Sequence, residues 1–363
     1  MGNNQEGRHS VQKAKKSGGK KHRGLKILCI VLVVLILGGW FVYEKTLGAI
    51  DRIDEDKIEY VDPEDQDKFD EVDPDASGSD STGTDGSGSG DSSGGNKPAE
   101  DVINWPKIEK INSEGVIKIL LLGADVTENG GRGRSDVIML ATLDEKSGEL
   151  SLTSFQRDTY VQIPGYKDNR INAAYAFGGT KLLKQVLELN FGLTVDGVIV
   201  IDFTRFEKLI DALGGVEINL TQKEVEHLNG KGANFVAGKN QLNGKWALAY
   251  SRIRKIDSDF GRTNRQRTVM DSLFQAYRNI SISEIPSVLK TVLPMVATDM
   301  SDSQLISYAT KVLSAGATSI NSNSIPFSGA YKNQTIRKMQ VLVPDLQKCR
   351  DALQQYIYGK SYK

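Results

Sequence analysis

The chain has 363 residues, 46 basic against 46 acidic side chains, three histidines and two cysteines. Cys29 lies in an apolar run, so Cys349 has no partner downstream of it and the region after that run must draw its stability from an apolar core. His9 and His22 precede the run and only His227 follows it, too few for a Ser-His-Asp triad, a Cys–His pair or a His-rich zinc site.

The zero net charge conceals three segments. Residues 1–26 carry eight Lys and Arg against Glu6, residues 51–101 carry eighteen Asp and Glu against four bases, and residues 102–363 hold a surplus of seven positive charges. Residues 27–43 read ILCIVLVVLILGGWFVY without a charge. As a helix this run is about 26 Å long, enough for a short single span. All the flanking positive charge lies on its N-terminal side, which predicts a cytoplasmic tail (1–26) and an exported remainder. A cleaved signal peptide with a site near Gly48-Ala49 is the competing reading. Residues 44–104, acidic and then Gly/Ser-rich, are expected to form a flexible extracytoplasmic linker. A tail of 26 residues is too short for a helix-turn-helix, so no nucleic-acid partner is expected, and its lysines suit anionic lipid headgroups.

Residues 105–363 carry the pattern of a folded α/β domain. The run 116–125 (VIKILLLGAD) is near-continuously apolar, as in a strand buried on both faces, and ends at Asp125. Residues 135–143 and 148–156 read as the next two strands, joined by a turn at 145–148. A helix is expected over 178–192, with Leu182, Leu183, Val186 and Leu189 at helical spacing and Gly192 as its stop. Strand 197–203, a helix closing at Gly214, and strand 216–220 follow. Residues 247–254 (ALAYSRIR) read as a strand placing Arg252 and Arg254 on one face. After them comes a helix through Asn279, with Val269, Leu273 and Tyr277 on one stripe. Further helices are expected over 281–363, one opened by a Ser301/Gln304 capping box and a last one opened by Pro344. The alternation predicts an α/β/α sandwich around a central mixed sheet.

Two arginine-rich strings carry the chemistry. RGRSDVIML holds Arg134 and Asp136, and YSRIRKIDSDFGRTNRQR places Arg252, Arg254, Arg262, Arg265 and Arg267 within sixteen positions. Only Asp257 and Asp259 answer the six cations of the second string, Lys255 included. Guanidinium groups crowd this way to clamp phosphate or carboxylate bidentately; the plainer alternative is a solvated charged face. Arg262, Arg265 and Gln266 fall on one helical face, although Thr263 and Gln266 also match a capping box. Asp125 closes one strand and Asp136 opens the next, at the sheet edge where open α/β sheets bind ligands. Two carboxylates suit Mg2+, which lets phosphate and water complete its octahedron. The spacing equally allows Asp136 to cap a turn and Asp125 to pair with an arginine. Arg157 follows a strand and projects at the same edge, with Asp158 beside it. No GxxxxGK[ST] loop occurs, so nucleotide chemistry is not expected, and the set suits phosphoryl transfer at another diphosphate.

KILLLGAD, GRSDVIMLATL, SFQRDTYVQIPG, RINAAYAFGG, LIDALGGVEINL and SDFGRTNRQR, over residues 115–280, resemble the LytR–CpsA–Psr family in the same order. The resemblance implies a phosphotransferase that moves an anionic glycopolymer (teichoic acid, capsule or another wall polysaccharide) from undecaprenyl pyrophosphate onto peptidoglycan, at a muramic acid 6-hydroxyl. It implies Asp125 and Asp136 as the magnesium ligands and Arg157 as the arginine nearest the transferred phosphate. Arg134, Arg252, Arg254, Arg262 and Gln266 become the pyrophosphate-binding set, oriented by Asp259, with Arg170 and Arg265 as further members. It also implies an apolar tunnel for the polyprenyl chain. Gln156 departs from the family, which usually has proline there. A polyprenyl-pyrophosphate hydrolase, an envelope regulator and a non-catalytic holder of lipid-linked precursors are the alternatives.

Overall fold

The computed structural model describes residues 51–69, 103–126, 132–277, 293–315 and 319–362. The basic tail, the apolar run 27–43 and the Gly/Ser-rich stretch lie outside the described residues. Among the described residues no helix is long and apolar enough to cross a membrane.

The chain begins with β1 (Asp51–Arg52) and two short 3-10 turns, Glu55–Lys57 and Pro63–Phe69. β2 (Val116–Val126), β3 (Arg132–Asp144) and β4 (Leu150–Phe155) then form an antiparallel meander. Ile117 and Ile119 enter one core layer while Leu120 and Leu122 enter another. Both faces of β2 are therefore covered, which explains its unbroken apolar sequence. After β5 (Tyr160–Val161) and β6 (Asn169–Arg170) comes α1 (Ile171–Phe191), broken at Gly178 and Gly179 and ended by Gly192 in the left-handed conformation. β7 (Gly197–Asp202) returns parallel to β2, and α2 (Phe203–Ala212) starts where the Asp202 side chain accepts the Arg205 N–H.

β8 (Val216–Leu220) leaves the main sheet and pairs, across α3 (Gln222–Asn229), with β9 (Gly238–Leu242). α4 (Gly244–Ser251) and α5 (Asp259–Tyr277) follow, then β10 (Ala297–Thr298), α6 (Asp302–Ala315) and β11 (Ile320–Ile325). The hairpin β12 (Tyr331–Ile336)–β13 (Met339–Pro344) and α7 (Leu346–Tyr356) complete the described chain. The main sheet has the order β1-β10-β7-β2-β3-β4-β11, with parallel and antiparallel neighbours. α1 and α7 cover one face; α6 packs on the other, where α2, α4 and α5 build a further apolar cluster with β8 and β9. This is the expected sandwich around a mixed sheet.

Three local expectations are corrected. Residues 247–254 are not a strand: Asn243 caps α4 by accepting the Trp246 N–H, and the helix continues to Ser251. Ala247 and Tyr250 are buried at helical spacing, a pattern that eight residues alone cannot separate from alternation. Residues 281–363 are not all helical; they supply β10 to β13, and β11 (INSNSI) joins β4 as a parallel edge strand despite its polar sequence. The third correction concerns the expected linker 44–104, because its residues 51–69 are bound to the domain. β1 pairs with β10, Ile53 N–H donates to the Thr298 carbonyl (2.9 Å), and Glu55 pairs with Lys184 (2.7 Å). Val61 N–H donates to the Phe177 carbonyl (2.8 Å) and the Tyr166 hydroxyl to the Val61 carbonyl (2.6 Å). Arg132 donates to the Glu59 carbonyl, and the Tyr60 ring occupies the notch at the α1 break, where a Cβ on Gly178 would lie 2.6 Å from it.

Candidate active site

The β2–β3 pair carries two irregularities at its end. Gly123 pairs with Val137 and Ala124 with Ser135, so Asp136 bulges out; Val126 then pairs with Arg132, which leaves Asp125 opposite Gly133 and Arg134. Bulges of this kind re-aim side chains beside functional sites. Gly133 is required, since a Cβ there would lie 2.7 Å from the Asp125 carbonyl oxygen. Asp125 is exposed and Arg134 half-buried on the neighbouring strand.

Asp136 is the centre of a guanidinium cluster. Arg157, 7% exposed just beyond β4, donates through Nη1 to Asp136 Oδ1 at 3.0 Å. Arg254 reaches Asp136 Oδ2 at 3.4 Å from the turn after α4. Arg262, 2% exposed on the first turn of α5, pairs with Asp259 Oδ2 at 2.8 Å. Arg157 Nε lies 3.5 Å from Asp158 and 3.7 Å from Asp259. Burial alone would raise the Asp136 pKa, but Arg157, Arg262 and Arg254, with the hydrogen bond from Arg157, hold it below the usual carboxylate value. Asp259 goes the other way: its burial, with Asp158 nearby, raises its pKa against the pull of Arg262, Arg157 and Arg254. Burial also lowers the pKa of Arg262, whose Nε and Nη1 find no hydrogen-bond partner among the described residues. Buried donors without partners cost about 1–3 kcal/mol each, a cost that an anionic ligand would relieve.

Asp136, Arg254 and Arg262 also line an apolar cavity. It encloses about 990 Å3 of empty space, open solvent at the mouth included, between the sheet and α2, α4 and α5. Leu121, Ile201, Phe206, Leu248, Met270 and Leu273 line it, while Asp136, Arg252, Arg254, Arg262 and Gln266 occupy its polar rim. Arg252 is exposed and lies over the Phe203 ring at 4.5 Å. The cavity lining was not legible in the sequence, because its half-buried apolar side chains share the periodicity of ordinary core residues.

Two arginines expected in the set also have partners of their own. Arg265 donates to Glu224 Oε1 (2.8 Å) and the Ile253 carbonyl (3.0 Å) and pairs with Asp257, bracing the turn before α5. Arg170 donates to the Gln340 carbonyl (2.9 Å) and lies 3.3 Å from Asp158, which clasps the β12–β13 hairpin. Thr263 forms no capping box with Gln266, since it lies inside α5. As to a metal, Asp125 and Asp136 offer hard carboxylate oxygens at the same end of adjacent strands, a donor set that fits Mg2+ better than any soft ion.

The site thus sets buried guanidiniums beside an apolar cavity. The match to the LytR_cpsA_psr family spans residues 82–355, and the chain belongs to that family. It is 35% identical over 245 residues to the regulatory protein MsrR of Staphylococcus aureus (strain Mu50), covering 65% of this chain and 72% of that protein. It is also 35% identical over 199 residues to the polyisoprenyl-teichoic acid–peptidoglycan teichoic acid transferase TagU of Enterococcus faecalis, covering 53% of this chain and 64% of that one. Among solved structures, TagV of B. subtilis superposes with a TM-score of 0.54 at 26% identity, over 68% of this chain and 98% of that one.

Proposed function

We propose that this chain is a phosphotransferase that moves an anionic glycopolymer from undecaprenyl pyrophosphate onto peptidoglycan, forming a phosphodiester to a muramic acid 6-hydroxyl. The observation that carries the reading is Arg262, buried beside an apolar cavity with two guanidinium nitrogens that have no acceptor among the described residues. A polyprenyl diphosphate supplies both complements, oxygens for the guanidiniums and an alkyl chain for the cavity. The relative named as a teichoic acid transferase supports the same polymer class.

In this reading Arg157, Arg254 and Arg262 bind the diphosphate oxygens, with Arg134, Arg252 and Gln266 beside them. Asp125 and Asp136 would hold Mg2+, whose chemistry there is to neutralise phosphate charge. The acceptor hydroxyl oxygen forms a bond to the phosphorus that bears the sugar. The bond from that phosphorus to the bridging oxygen breaks, and undecaprenyl phosphate leaves with the electron pair. The hydroxyl proton passes to an aspartate of the site. The charge asymmetry around residues 27–43 supports a single-pass anchor with the domain outside the cell.

The test supplies lipid-linked polymer to the purified full chain with and without peptidoglycan. Covalent attachment that requires the acceptor, and that is lost in Arg262→Ala and Arg157→Ala, is the expected result. Release of polymer phosphate at the same rate without peptidoglycan would replace transferase by hydrolase. No turnover and no binding of farnesyl diphosphate would end the reading.

A further inference from the structure

Gln156 is fully buried, immediately precedes Arg157, and bridges three elements. Its backbone N–H donates to the Ile325 carbonyl (2.7 Å), carrying the β4–β11 pairing one residue beyond β4. Its side-chain Nε2 donates to Ser324 Oγ at 2.9 Å on β11. Its Oε1 faces the Thr263 hydroxyl on α5 at 3.0 Å, and that hydroxyl is equally close to the Asp259 carbonyl oxygen and can donate to either. The Gln156 carbonyl in turn accepts the Thr159 N–H (3.1 Å) and hydroxyl (2.6 Å), which fixes the turn that contains Arg157. Thr263 lies one residue after Arg262 and one helical turn after Asp259. A single amide therefore ties the strand end that presents Arg157 to the helical turn that presents Arg262 and Asp259. At the flank, Arg267 adds a longer contact to the Asn323 carbonyl (3.3 Å).

We infer that Gln156 is a positioning residue: through Thr263 it sets where Arg262 and Asp259 stand relative to Arg157. This rests on the proposed transfer reaction and names a determinant within it. An amide is suited to the task because it offers a donor and an acceptor in one plane, one for each neighbouring element. Reacting groups displaced by about 1 Å lose roughly a hundredfold in rate, so slackening this bridge would show in turnover before it shows in binding.

The experiment compares wild type, Gln156→Met (similar length, no polar atoms), Thr263→Val and the double variant, each as the full chain in detergent. Three readouts are taken: kcat and KM for the lipid-linked donor, farnesyl diphosphate binding, and the Nε–H NMR resonances of Arg157 and Arg262, assigned with Arg→Lys variants. Both single variants are expected to lose roughly ten- to a hundredfold in kcat with KM and binding changed less than about threefold. The double variant should lose no more than the worse single one, because both remove the same bridge. The Arg262 resonance should shift in all three. Should Gln156→Met not fold, Thr263→Val and Ser324→Ala carry the same comparison. Unshifted resonances, or a kcat loss that adds in the double variant, overturn the inference. Shifted resonances in a protein that neither transfers polymer nor binds farnesyl diphosphate would leave the placement standing and reject the reaction instead.

Discussion

Asp136 is the residue on which the charge balance of the site turns. Its pKa is lowered on folding, so the stability it contributes is fully present above the ordinary carboxylate value, about 3.9, and is lost as pH falls through the lower folded value. Asp136→Asn should therefore lower the melting temperature at neutral pH and flatten the acid limb of stability, and thermal denaturation across that limb reads both. It should also abolish transfer, since Arg157 and Arg254 lose the carboxylate that aims them. Like-charge crowding pointed to Arg254 and Arg262, and helical spacing to Gln266; the structure brings all three to one cavity with Asp136. Arg265 was not separable from them by spacing, because its partner Glu224 lies on α3, far away in the chain. The backbone acceptor of Arg170 on β13 was equally hidden, while Asp158 ties Arg170 to the cluster.

Among the elements, α4 decides where two of the rim arginines stand. Its start rests on the Asn243 side chain accepting the Trp246 N–H at 3.1 Å. Asn243→Ala should cost about 1 kcal/mol of stability, seen as a lower melting temperature, and should weaken farnesyl diphosphate binding because Arg252 ends this helix and Arg254 follows it. The buried strands β2, β3, β4 and β7 and the helix stop at Gly192 were readable from apolar runs and turn residues. α4 and β11 were not. Eight residues fit either period, and a polar edge strand such as INSNSI takes its structure from β4 rather than from its own side chains.

At the level of the whole molecule, residues 51–69 belong to the same body as the residues beyond 103. The stretch 70–102 therefore departs from this body at Phe69 and comes back to it at Ile103. A protease site placed within 70–102 tests this: after cleavage, a tagged N-terminal piece should retain the larger piece until denaturant is added. Free separation of the two pieces would show that the contacts of β1, Glu55 and Val61 are too weak to act as a clasp. If the clasp holds and residues 27–43 form the proposed anchor, the number of Gly and Ser residues downstream has no say in how far the start of this body can travel from the bilayer. That radius belongs to residues 44–50, at most about 25 Å when fully stretched. In the proposed transfer reaction the acceptor glycan would then be the newest material, laid down against the lipid surface.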